Sequence, residues 1–94
     1  MDYSNLKNKT VYDFCDDVEV LDFIMGKKSA SKGDYLKSTD KERRLEDLAM
    51  LVFITANDDL GEALCSLHPV LIEWDNTVCD FAERYQRKHG LADD

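Results

Sequence analysis

One proline and four glycines are the only strong backbone breakers in this 94-residue sequence. Pro69 alone bars a helix interior outright, so long stretches are open to helical periodicity. Long apolar runs are missing as well. The longest, Leu48 to Ile54, falls far short of the roughly 20 residues that cross a bilayer. Basic residues are outnumbered by acidic ones, twelve to twenty, which sets the formal charge at −8. That balance favours solubility and opposes attraction to nucleic acid or to anionic membranes. The cysteines Cys15, Cys65 and Cys79 are odd in number and irregularly spaced, so no complete disulfide framework is expected. They read as reduced, partly buried thiols in a cytoplasmic compartment. Met1 to Asn5 carry neither the basic start nor the apolar core of a secretory signal, in keeping with that expectation.

What is present is a globular composition, 44% hydrophobic and 10% aromatic, which argues against disorder despite the charge. The length suits one domain, residues 1–94. Thr10 with Asp13 forms a short capping box, after which Val11, Phe14, Cys15, Val18, Leu21 and Met25 recur at helical spacing up to Gly26. Val20, Phe23 and Ile24 widen that apolar face, which is therefore either deeply packed or turned to a partner. Residues 26–38 are small and basic and read as a loop, with Tyr35 and Leu36 pinning its far end. Thr39 and Glu42 propose a second capping box, opening a helix through Leu45, Leu48, Val52 and Ala56 whose second half is apolar all round. Asp59 with Glu62 marks a short third helix to about Leu67, and a fourth is expected from Pro69 to His89, closed by Gly90. The expectation is an all-α fold, a compact bundle of about four helices with Leu45, Leu48, Val52, Leu71, Trp74, Val78 and Phe81 in its core.

Signatures of chemistry are scarce. Cys65 and His68 make a Cys-x-x-His pair, but a structural zinc site needs about four ligands in two spaced pairs, and Cys15, Cys79 and His89 supply no second pair. A Cys65–His68 dyad lacks an orienting group and an oxyanion hole. Gly26-Lys27-Lys28-Ser29 follows a helix, with Leu21 where a phosphate loop has its first glycine. The reading is of a protein that is not an enzyme and uses no metal or cofactor.

Charge is unevenly distributed. Residues 27–45 hold seven bases, Lys27, Lys28, Lys32, Lys37, Lys41, Arg43 and Arg44, against three acids, on an otherwise acidic chain. Such an island is either a solvated surface pairing with nearby carboxylates or a weak contact for nucleic acid through residues 27–44. The acids group as Asp13, Asp16 and Asp17 on the first helix and Asp58, Asp59 and Glu62 near the third. A rigid helical body displaying carboxylates suits docking on a basic surface of a larger protein, including one that otherwise binds nucleic acid. The function expected is thus an inhibitor or regulator acting through protein–protein contact. A helical homodimer with a structural or adaptor role, using Val20, Phe23, Ile24 and Met50 as interface, is the alternative.

Overall fold

The computed structural model describes residues 6, 8–26, 31–67 and 74–91, and among these every regular element is helical. The all-α expectation holds, but the described residues form six helices rather than four. In chain order they are α1 (Val11–Phe14), α2 (Val18–Met25), α3 (Lys32–Ser38), α4 (Lys41–Thr55), α5 (Asp58–Leu67) and α6 (Asn76–Lys88).

The extra helices come from side chains that compete for backbone N–H groups. The expected first helix breaks at Cys15, which is extended, and Asp17 starts α2 by accepting from the Glu19 amide at 3.0 Å. The break turns Phe14 and Val18 outward, although both were expected in the apolar stripe. Gly26, at φ 71°, ends α2 in the left-handed conformation foreseen for it. Within the expected loop, Ser31 caps α3 by accepting from the Asp34 amide. Tyr35 is buried as expected, whereas Leu36 is exposed. The cap of α4 is Asp40, accepting from the Arg43 amide at 2.8 Å, and not Thr39, which closes α3. Likewise Asn57, rather than Asp59, satisfies the start of α5 through the Leu60 amide. Asp75 does so for α6 through the Val78 amide. The Thr10–Asp13 box forms as read, with the Thr10 amide donating to Asp13 Oδ2 at 2.7 Å. The expected helix start at Pro69 and the core position Leu71 lie outside the described residues.

Helix α4 is the common neighbour, packing against α1, α2, α5 and α6. Its Leu48, Leu51 and Ile54 are fully buried and meet Val11, Val20, Leu21, Ile24, Leu60, Leu64 and Phe81 in one core. The run 48–54 is not covered all round, however. Phe53 is exposed, and Met50 and Val52 are half-buried. Leu45 and Trp74 are also half-buried, while Val78 and Phe81 are buried as expected. Gly61 lets α5 approach closely, since a Cβ there would sit 3.1 Å from Val52 Cγ1. At the far end of α4, the Gln86 side-chain amide donates to the carbonyls of Phe53 (3.0 Å) and Ile54 (3.2 Å), two groups that a helix terminus leaves unsatisfied. Phe23 stacks on Phe81 with ring centres 4.1 Å apart, which ties α2 to α6.

Leu48→Ala or Ile54→Ala should lower the unfolding free energy by about 2–5 kcal/mol, measured by denaturant titration. Ala56 ends α4 at φ 55°, a conformation that strains a side chain. Ala56→Gly should therefore raise stability by about 1 kcal/mol in the same assay.

Candidate functional site

The carboxylates singled out in the sequence divide into those that hold the fold and those that face outward. Asp13 closes the box on Thr10 and forms an ion pair with Lys32, joining α1 to α3. Burial alone would push its carboxyl up, but the Lys32 ammonium and the Thr10 amide together hold it below its ordinary value. Asp17 caps α2, and its second oxygen faces His89 Nε2 at 3.9 Å. Tyr85, whose ring lies 4.2 Å from that of His89, has its phenol raised by burial and then by the Asp17 charge. Asp16 stands exposed between these two anchored neighbours. On α5, Asp59 and Glu62 are exposed, and the side chain of Asp58 lies outside the described set. The first group lies on α1 and in the α1–α2 corner and the second on α5, and α1, α2 and α5 all pack on α4.

Three described members of the basic island serve internal ties, while Lys37 and Lys41 are exposed. Lys32 pairs with Asp13, Arg43 Nε meets Asp47 Oδ1 at 3.2 Å, and Arg44 Nη1 donates to the Thr39 carbonyl at 2.7 Å. Lys27 and Lys28 fall outside the described residues. Cys65, expected on a buried face, is exposed, as is Cys79, while Cys15 is half-buried with its thiol pushed up by burial. No group of three or more metal-ligating side chains occurs among the described residues. No described helix is long and apolar enough to cross a membrane. Val20 and Ile24, offered above as dimer contacts, are buried inside the chain, and Phe23 is covered by Phe81.

Asp47 is the ionisable group that the sequence reading passed over. It is only 3% exposed, and it accepts from the Tyr35 hydroxyl at 2.6 Å and from Arg43. The signal was present: Asp47 falls in the i, i+4, i+7 series with Leu51 and Ile54, where the helical period calls for an apolar side chain. Burial pushes its carboxyl up, Tyr35 and Arg43 pull it down without cancelling that, and Glu46 adds to the rise. Tyr35 is raised in turn, by burial and by its bond to Asp47. Above this trio opens a cleft of about 640 Å³, walled by Ile24 and Met25 of α2, Tyr35 and Ser38 of α3, and Thr39, Asp40 and Arg43.

A second feature lies beside it. The short α1–α2 corner presents Phe14, Asp16 and Val18 to solvent, with Phe14 40% and Val18 63% exposed. Tyr12 connects corner and cleft, its ring edge-on to Tyr35 and its hydroxyl 3.4 Å from Met25 Sδ. Comparison with protein-family models, curated proteins and solved structures finds no match.

A raised carboxyl favours the protonated form of the fold. The stability it contributes is complete below the ordinary aspartate value of about 3.9 and is lost as pH rises through the folded value. Asp47→Asn keeps an acceptor for Tyr35 and removes the buried charge. Its stability relative to the parent should therefore be greater at pH 7 than at pH 4 in paired denaturant titrations. A difference independent of pH would contradict this. Asp47→Ala, which strands the Tyr35 hydroxyl, should cost about 1–3 kcal/mol.

Proposed function

We propose that this chain is a non-enzymatic interaction module that docks on a basic surface of a larger protein, inhibiting or regulating it. The observation that carries the reading is the α1–α2 corner. There, Asp13 and Asp17 are consumed by capping, while Phe14, Asp16 and Val18 face solvent together. Exposed apolar side chains around a carboxylate supply what a protein contact uses, an apolar anchor and a charge that fixes partner and orientation. A formal charge of −8 adds long-range attraction to a basic partner and opposes direct contact with nucleic acid. A protein that itself binds nucleic acid is thus the partner class that best matches. Asp59 and Glu62 on α5 would extend the acidic contact, and three free cysteines suit a reducing cytoplasmic setting.

The test is capture from nuclease-treated lysate with tagged chain and stepwise salt elution, run beside the variant Phe14→Ser, Asp16→Lys, Val18→Ser and a control, Asp80→Lys, on α6. The proposal expects one basic protein retained by the parent and the control, released as salt rises, and lost from the triple variant. Equal retention by the triple variant, or retention insensitive to salt, would refute it.

A further inference from the structure

Helix α3 is attached to the fold differently from the others. Helices α1, α2, α5 and α6 all pack on α4, whereas α3 has no comparable packing with any helix among the described residues. Of its seven residues, Tyr35 alone is buried and the other six are exposed. A segment this short, with Gly33 at its second position, does not sustain a helix by itself, since isolated helices below about 12 residues are marginal in water. Its N-terminal cap is long, with the Asp34 amide 3.3 Å from the Ser31 hydroxyl. The helix therefore depends on what its side chains reach. The Tyr35 hydroxyl donates to Asp47 Oδ2 at 2.6 Å, and its ring stands edge-on to Tyr12 with centres 5.7 Å apart. The Lys32 ammonium pairs with Asp13, and the Arg44 guanidinium holds the Thr39 carbonyl at the C-terminal end. Two of these ties, to Tyr12 and to Asp13, end on the four-residue α1.

We propose that α3 is a strap that opens as a unit while α4, α5 and α6 stay folded, and that when closed it braces α1. The body keeps its core without α3. Leu48, Leu51, Ile54, Leu60, Leu64 and Phe81 belong to one apolar cluster, and Tyr35 lies outside it. A segment with so little apolar burial opens at a fraction of the free energy of global unfolding. Opening also relieves a cost at Asp47. Burial pushes its carboxyl up and Glu46 adds to the rise, against the opposing pull of Tyr35 and Arg43. The closed strap thus works against the charged form of Asp47, and lifting Tyr35 returns that carboxyl to water. For α1 the consequence is the reverse. Closed, α3 supplies the cation for the acid of the α1 capping box and a ring against Tyr12. Phe14 ends α1, so the state of the strap sets how firmly that side of the corner is presented. The inference goes beyond the docking function and stands on the chain alone.

The test is native-state hydrogen exchange of the full chain, resolved by NMR and repeated over a series of sub-denaturing urea concentrations. The amides of Tyr35 to Ser38 should exchange through an opening at least about ten-fold more frequent than the one that frees Leu51, Ile54 and Phe81. Its urea dependence should be slight, since a local opening exposes little surface, whereas the core amides should show the full slope of global unfolding. The Asp13 and Cys15 amides, bonded to the Thr10 and Val11 carbonyls, should follow the α3 opening and not the core. Tyr35→Phe keeps the ring and removes the hydroxyl. It should speed exchange about ten-fold at residues 36–38, and by the same factor at Asp13 and Cys15. Exchange of α3 with the free energy and slope of Leu51 and Ile54 would overturn the proposal, because α3 would then belong to one cooperative core. Asp13 and Cys15 tracking the core would overturn it equally, since α3 would then open without loosening α1. Unchanged exchange at residues 36–38 in Tyr35→Phe would remove Tyr35 as the fastening. None of these outcomes bears on capture through the corner, which is read with the partner present.

Discussion

A 15-residue helix whose inner face is fully buried needs neighbours on several sides, and in this chain α4 draws four other helices onto itself. Leu48, Leu51 and Ile54 contribute the apolar surface that makes the assembly worthwhile, since burial of such side chains is the main favourable term in folding. The arrangement also dictates where polarity must be answered. Gln86 reaches from α6 to the last carbonyls of α4, and Asp47, one turn before Leu51, is matched by Tyr35 and Arg43. Through Asp47 the short α3 is fastened to the core helix, and with α3 comes the wall of the cleft.

Acidic residues have two separable roles in this fold. Asp13, Asp17, Asp40 and Asp75 each accept from a backbone amide or an N-cap at the start of a helix, where the helix dipole also favours negative charge. Such short helices, four to fifteen residues long, depend on these caps because nucleation is unfavourable. Asp47 is buried, whereas Asp16, Asp59, Glu62 and Asp80 are exposed and contribute to the long-range field. Asp40 belongs to both groups, since one oxygen caps α4 while the carboxylate as a whole stands at the rim of the cleft. An acidic composition is thereby partly a structural requirement of the helix starts.

The helical class, the Thr10–Asp13 box, the Gly26 terminus and the central role of 48–54 were legible because each depends on local spacing. What escaped was decided by competition between neighbouring residues. Asp17 and Asn57 took caps that periodicity alone assigned elsewhere, and Ser31 opened a helix in a stretch whose composition suggested a loop. Breaking the first helix at residues 15–17 carried Phe14 and Val18 out of the core and made the exposed corner. Of the four residues that suggested a dimer, Val20 and Ile24 stayed inside, whereas Phe23 and Met50 are half-buried. The candidate residues Asp13, Asp16 and Asp17 were legible as a group, but their division into cap, exposed carboxylate and cap needed the fold. The cleft was not legible, because Tyr35, Asp40 and Asp47 are brought together by the α3–α4 turn.

Tyr12 links the surface of the corner, apolar at Phe14 and Val18 and acidic at Asp16, to that of the cleft, where Asp40 is exposed and Tyr35 and Asp47 lie buried. The most direct measurement of whether this surface is the functional one is hydrogen exchange of the chain, free and bound to its captured partner. Slower exchange on binding, concentrated in residues 14–19 and 38–43 with the interior of α4 unchanged, is the outcome that this account predicts. Protection confined to α5 or α6, with those two stretches exchanging as in the free chain, would contradict it.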